Sequence, residues 1–190
     1  MGHYAHCKKC KSAFLKTLEE EFGEVTRQWK SGWPCRIEDI LHHPAIKKKT
    51  AQALEKIYMA LQRHRGYHTF VGKSKLPSCD YYIPALNCLV ELDEPQHFTA
   101  PRALTLSMYP AGVRIGYRRK TWYEKCVALD RHDNDPVHRD ETRAWYDTLR
   151  DLLPALFGLN PTIRILSNEK TWCEEDSGIV LSMIRGRISY

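Results

Sequence analysis

Cys79-Asp80-Tyr81-Tyr82-Ile83-Pro84, followed by Leu89-Val90-Glu91-Leu92-Asp93-Glu94-Pro95-Gln96-His97-Phe98, is the stretch on which the reading of this chain turns. Its aromatic and β-branched residues predict two strands, Asp80 to Pro84 and Cys88 to Asp93, joined by a Pro-Ala-Leu-Asn turn. Side chains alternate across a strand, so Glu91 and Asp93 share a face, and Asp80 projects beside them from the neighbouring strand. Three carboxylates gathered in this way repel and raise one another's pKa unless a cation neutralises them, which marks a metal site. Oxygen donors alone favour a hard ion, Mg2+ or Mn2+, over zinc.

Around this core the periodicity is mostly helical. Phe14, Leu15, Leu18, Phe22 and Val25 predict a first helix from Ser12, its N-cap, to about Trp29. A second helical region runs from Arg36 to Gln62, and Gly66 ends it. Tyr67 to Val71 is expected as a strand, Asp140 to Phe157 as a helix, Thr162 to Leu166 as a strand, and Ile179 to Ile184 as strand or helix. No repeat or linker divides the chain, so residues 1–190 are read as a single α/β domain with a central mixed sheet flanked by helices.

Composition excludes several classes. The 190 residues are 43% hydrophobic and 27% charged, which suits a folded soluble domain rather than a disordered one. No run approaches the roughly 18 apolar residues of a membrane span, and the N-terminus lacks the apolar stretch of a secretory signal. Seven cysteines, an odd number, fit a reduced compartment, and a cytoplasmic location is expected. The +6 net charge suits a polyanion partner.

The segment Val90-Glu91-Leu92-Asp93-Glu94-Pro95-Gln96-His97-Phe98, with the Asp80 strand before it, resembles the PD-(D/E)XK, or restriction-endonuclease-like, nuclease superfamily. It looks most like the branch of very-short-patch-repair endonucleases, whose second core strand reads Glu-x-Asp-Gly-x-Gln-His-Tyr. The family's glycine after the aspartate is replaced here by Glu94-Pro95, and the superfamily's lysine is Asp93, as in the resembling branch. The order of a Glu-bearing helix, an Asp strand, a Glu-x-Asp strand, Gln-His, a helix opened by Asp140-Glu141-Thr142-Arg143 and the strand Thr162 to Ile165 follows the family outline.

That resemblance implies a restriction-endonuclease-like core and a metal-dependent DNA endonuclease of DNA repair or of defence against foreign DNA. The alternative is an inactive nucleic-acid-binding module on the same fold. Asp80, Glu91 and the backbone carbonyl of Leu92 would hold the ion, with Glu20, or Glu19, completing the shell. Asp93 is a further metal contact or a water-orienting group. Gln96 and His97 would address the water or the phosphate, His97 as general acid or base. Arg102, Arg118, Arg119 and Lys120 would contact DNA phosphates, with Tyr117, Trp122 and Tyr123 available for stacking. A homodimer is expected if both strands are cut.

Cys7 and Cys10 form a CxxC, half of a structural Zn2+ site. The remaining ligands would come from His3, His6, Cys35, His42 or His43, with Cys7, Cys10, Cys35 and His43 the leading set, making residues 1–43 a small zinc-binding element.

Overall fold

The computed structural model describes residues 8–167, 173 and 177–188. In chain order these form α1 (Lys8–Phe22), β1 (Thr26–Trp29), α2 (Ile37–Leu41), α3 (Lys48–Arg65), β2 (Cys79–Ile83), β3 (Cys88–Asp93), α4 (Ala100–Ser107), α5 (Arg119–Leu129), α6 (Arg139–Leu152), β4 (Ile163–Leu166) and α7 (Ser177–Ile188). The sheet runs β1-β2-β3-β4, antiparallel across its first three strands and parallel between β3 and β4. It is an α/β fold with a four-stranded mixed sheet flanked by helices.

The strand alternation distributes the core over the two faces. Tyr81, Ile83, Val90, Leu92, Ile163 and Ile165 meet Phe14 and Leu18 of α1 and Ile184 of α7 on one side. Leu89 and Leu166 join a larger core on the other, where α3 contributes Leu54, Ile57 and Leu61, and α6 contributes Trp145 and Leu149. All six residues of β3 are buried. Its two charged residues, Glu91 and Asp93, have the parity of Leu89 and therefore face α6.

Several expected boundaries move, each for a local reason. The first helix already includes Lys8, so Ser12 is not its N-cap, and it ends at Phe22 before Gly23 with φ +76°. The segment ending at Trp29 is instead an edge strand, on which Trp29 stacks against Tyr82. The second region is two helices separated around Pro44, since proline disfavours the helical conformation in the residue before it. Tyr67 to Val71 is not a strand; Phe70 packs on Tyr58 of α3, while β2 already has partners on both edges. Pro154 converts the end of α6 into a short 3-10 turn, and residues 179–184 are helical.

The loop before α5 runs against β4 at Gly116. A Cβ there would lie 2.6 Å from the carbonyl oxygen of Thr162, inside any tolerable contact with backbone. Gly116→Ala is therefore expected to cost about 1–3 kcal/mol of stability through forced displacement of the β4 entry, read from the urea midpoint.

Candidate active site

Tyr81 pairs with Val90, which sets Asp80 directly opposite Glu91 on adjacent strands. Their groups interlock: the Asp80 amide donates to Glu91 Oε1 at 3.3 Å, and the Leu92 amide donates to Asp80 Oδ2 at 2.9 Å. In an extended strand the amide and carbonyl of one residue point to the same edge, so the Leu92 carbonyl also faces the Asp80 side. Glu91 is only 5% exposed, and burial pushes its pKa up to about 8 against the opposing pull of Arg150. Burial likewise raises the Asp80 pKa, although the Leu92 amide and Arg150 favour the ionised form. Among the described residues, Arg150 supplies the one side-chain cation within salt-bridge distance of this pair, with Nε 3.3 Å from Glu91 Oε1.

Asp93 follows a different course. Its Oδ1 meets Arg164 Nη1 at 2.6 Å and its Oδ2 accepts from Trp122 Nε1 at 2.5 Å, so both oxygens are committed inside the fold. His97 stands at the end of the short 3-10 turn after β3, its side chain 21% exposed, with Nδ1 2.8 Å from Asp147 Oδ2 and 3.9 Å from Asp93 Oδ1. Burial opposes charge on the ring, but the Asp147 carboxylate and its hydrogen bond outweigh this and raise the His97 pKa. Asp147 itself is held well below the usual range: burial disfavours its ionised form, but His97 and Arg164 more than offset that. Asp93, His97 and Asp147 place ligand atoms within 4.8 Å of one another, a group that could hold a metal ion. In the structure its counter-charge is Arg164, which also reaches Asp147 Oδ1 at 3.3 Å and Asp151 Oδ1 at 2.8 Å.

Asp151 collects four donors. Arg164 Nε takes one oxygen, while Arg102 Nη2 at 2.7 Å and the hydroxyls of Tyr109 and Tyr117, each at 2.6 Å, converge on the other. Arg102 is thus a buried structural residue and not a phosphate contact. Tyr117 and Trp122 are also buried and committed, which removes them as stacking platforms. Arg118, Arg119 and Lys120 are exposed around the start of α5, with Tyr123 exposed one turn on. The inner face of this helix touches the site through Trp122, and the Arg131 amide beyond its end donates to the Phe98 carbonyl, beside His97.

Other expected members fall elsewhere. Gln96 donates to Glu94 and is half-buried, and its carbonyl accepts from Arg143 at 2.8 Å. Glu20 is exposed and pairs with Lys16 at 3.5 Å. Lys11 of the same helix reaches Glu94 at 3.1 Å, which puts Glu20 roughly 14 Å farther along the axis, away from the carboxylates. Glu19 is likewise exposed. Cys35 is buried in the α3–α6 core, its thiol bonded to the Lys73 carbonyl and its pKa pushed up to about 11 by burial. His43 lies edge-on to Phe157, and Cys10 is in the opposite core, so Cys10, Cys35 and His43 do not form one shell. Cys7, His3 and His6 lie outside the described residues.

Asp147, Arg150, Asp151 and Arg164 are site neighbours that the sequence reading did not place at the site. Their signal was present: three charges at helical spacing i, i+3 and i+4 within a helix of apolar periodicity, and one arginine between Ile163 and Ile165. Searches of protein-family models, curated proteins and solved structures found no match to this chain.

Proposed function

We propose that this protein is a divalent-metal-dependent DNA endonuclease that hydrolyses phosphodiester bonds at the Asp80–Glu91 strand pair. The observation that carries the reading is the pairing itself: two carboxylates opposed on neighbouring strands, both with pKa raised by burial and a single guanidinium beside them. Such a pair has more negative charge than its surroundings neutralise, which fits a hard cation, Mg2+ or Mn2+. The order of a Glu-bearing helix, Asp strand, Glu-x-Asp strand, Gln-His turn, helix and strand also supports a restriction-endonuclease-like core.

Asp80, Glu91 and the Leu92 carbonyl would hold the ion, which when bound polarises the phosphate and lowers the pKa of a water. The rest belongs to the chain. Asp147 accepts from His97 Nδ1 and fixes the ring, leaving Nε2 to take a proton from the water or deliver one to the leaving oxygen. Asp93 keeps Arg164 and Trp122 in place behind this dyad. Arg118, Arg119 and Lys120, on the exposed side of the helix that Trp122 ties to the site, receive the polyanion.

The test is cleavage of supercoiled plasmid and short duplex oligonucleotides by the parent protein in Mg2+, Mn2+ or EDTA. Nicking or linearisation with metal, and intact substrate in EDTA, is the expected result. Retarded but uncut DNA with each metal and substrate would replace this reading with that of an inactive nucleic-acid-binding module.

A further inference from the structure

Arg150 of α6 is only 8% exposed, and its guanidinium joins three parts of the site. Nη2 donates to the carbonyls of Ser78 at 3.0 Å and Pro77 at 3.4 Å, just before the strand that carries Asp80. Nη1 lies 3.5 Å from Asp147 Oδ1, and Nε lies 3.3 Å from Glu91 Oε1. The side chain is thus anchored at its far end and stands against Glu91 as a fixed charge. Nε itself is buried and, among the described residues, makes no hydrogen bond, so a donor that is costly to leave unmade is aimed at the carboxylate pair.

The carboxylate oxygens divide accordingly. Glu91 Oε1 faces Arg150 and the Asp80 amide, and Asp80 Oδ2 takes the Leu92 amide, whereas Glu91 Oε2 and Asp80 Oδ1 accept no hydrogen bond among the described residues. Asp93, the third carboxylate of the motif, has both oxygens engaged by Arg164 and Trp122. Two ions about 3.5–4 Å apart need a bridging carboxylate or further anionic ligands, and this site offers one uncommitted oxygen on each strand. Charge agrees with the ligand count. With both carboxylates ionised, Arg150 leaves the pair one net negative charge; one divalent ion turns this to one positive charge, which a single phosphodiester matches, and a second ion would leave three. We propose that the Asp80–Glu91 site takes a single hard divalent ion and that Arg150 fills the place of a second as a built-in cation. The proposal rests on the reading of that strand pair as a metal site. Arg150 is a positioning residue that acts through Glu91, holding Oε1 while Oε2 meets the ion.

The experiment counts ions on the full chain, stripped with EDTA and dialysed, by Mn2+ titration at pH 8 followed through the electron paramagnetic resonance of the unbound ion. The quantity read is the difference in bound Mn2+ between the parent and Glu91→Gln, which removes uptake by carboxylates elsewhere on the surface. A difference of one is expected, and a difference of two overturns the proposal whether or not the protein cleaves DNA. A difference of zero overturns it together with the metal reading of the strand pair, whereas one bound ion without cleavage tells against the nuclease reading and leaves this one standing. Arg150→Gln should bind Mn2+ at least about 10-fold more tightly and take up one ion more than the parent, because the like charge is gone, while Arg150→Lys keeps the charge and the parental count. Parental affinity and stoichiometry in Arg150→Gln would overturn the role given to the guanidinium. The count on the parent decides the single-ion claim without any Arg150 variant having to fold.

Discussion

Glu91→Gln is expected to cleave DNA at least about 100-fold more slowly than the parent while being the more stable protein in EDTA at pH 9. The two effects have one origin. The carboxylate is enclosed, and burial lifts its pKa to about 8, so the folded chain binds this proton more tightly than the unfolded chain does. Stability from this group is fully present below the ordinary glutamate pKa and is lost as pH rises through about 8. Burial of an ionised Glu91 at pH 9 therefore costs a few kcal/mol. Glutamine has the shape of the protonated acid and never ionises, so the cost disappears, and with it the ability to hold a divalent ion. Asp80 and His97 also have raised pKa values and tilt stability in the same direction, so the variant should reduce the slope of stability against pH without abolishing it. Chemical denaturation of parent and variant between pH 5 and 9, with the cleavage assay alongside, makes the check. Equal slopes would show that Glu91 ionises freely, and undiminished cleavage would remove it from the metal site.

The larger structural effect belongs to Arg164→Met, which should lose about 3–5 kcal/mol and leave little folded protein at 37 °C. This guanidinium is fully enclosed and faces three carboxylates, Asp93, Asp147 and Asp151, at 2.6, 3.3 and 2.8 Å. Methionine fills much of the volume but offers no charge and no donor, so the buried negative charge it balanced, above all that of Asp93, would have to be met by protons for the chain to fold, while Asp151 keeps Arg102 and Asp147 keeps His97. The loss should therefore shrink in acid, where those protons are available. A midpoint in urea that is unchanged at pH 7, or one that falls as much at pH 4 as at pH 7, would contradict this account.

The strand pair was legible because its signal is local. A period of two places Asp80 beside Glu91 from the sequence alone, and the register agrees. Asp93 shows where that logic stops: it is on the expected face, yet Trp122 and Arg164 engage both its oxygens, and neither is near it in sequence. Arg102 failed for a related reason. An arginine reads by default as a surface cation, and only the packing of α4 on α6 encloses it against Asp151. Helix edges shifted where a proline or a left-handed glycine outweighed apolar periodicity, at Gly23, Pro44 and Pro154.

The parallel pairing of β3 with β4 joins Val90 to Ile163, with α4, α5 and α6 lying between them in the chain. Closing so long a loop is slow, and it comes after local helices and the β2–β3 hairpin can form. Arg164 arrives only with that closure. A chain in which only the β2–β3 hairpin and the local helices have formed thus carries Asp93, Asp147 and Asp151 without the cation that binds them together, and the acidic centre takes shape only when β4 docks.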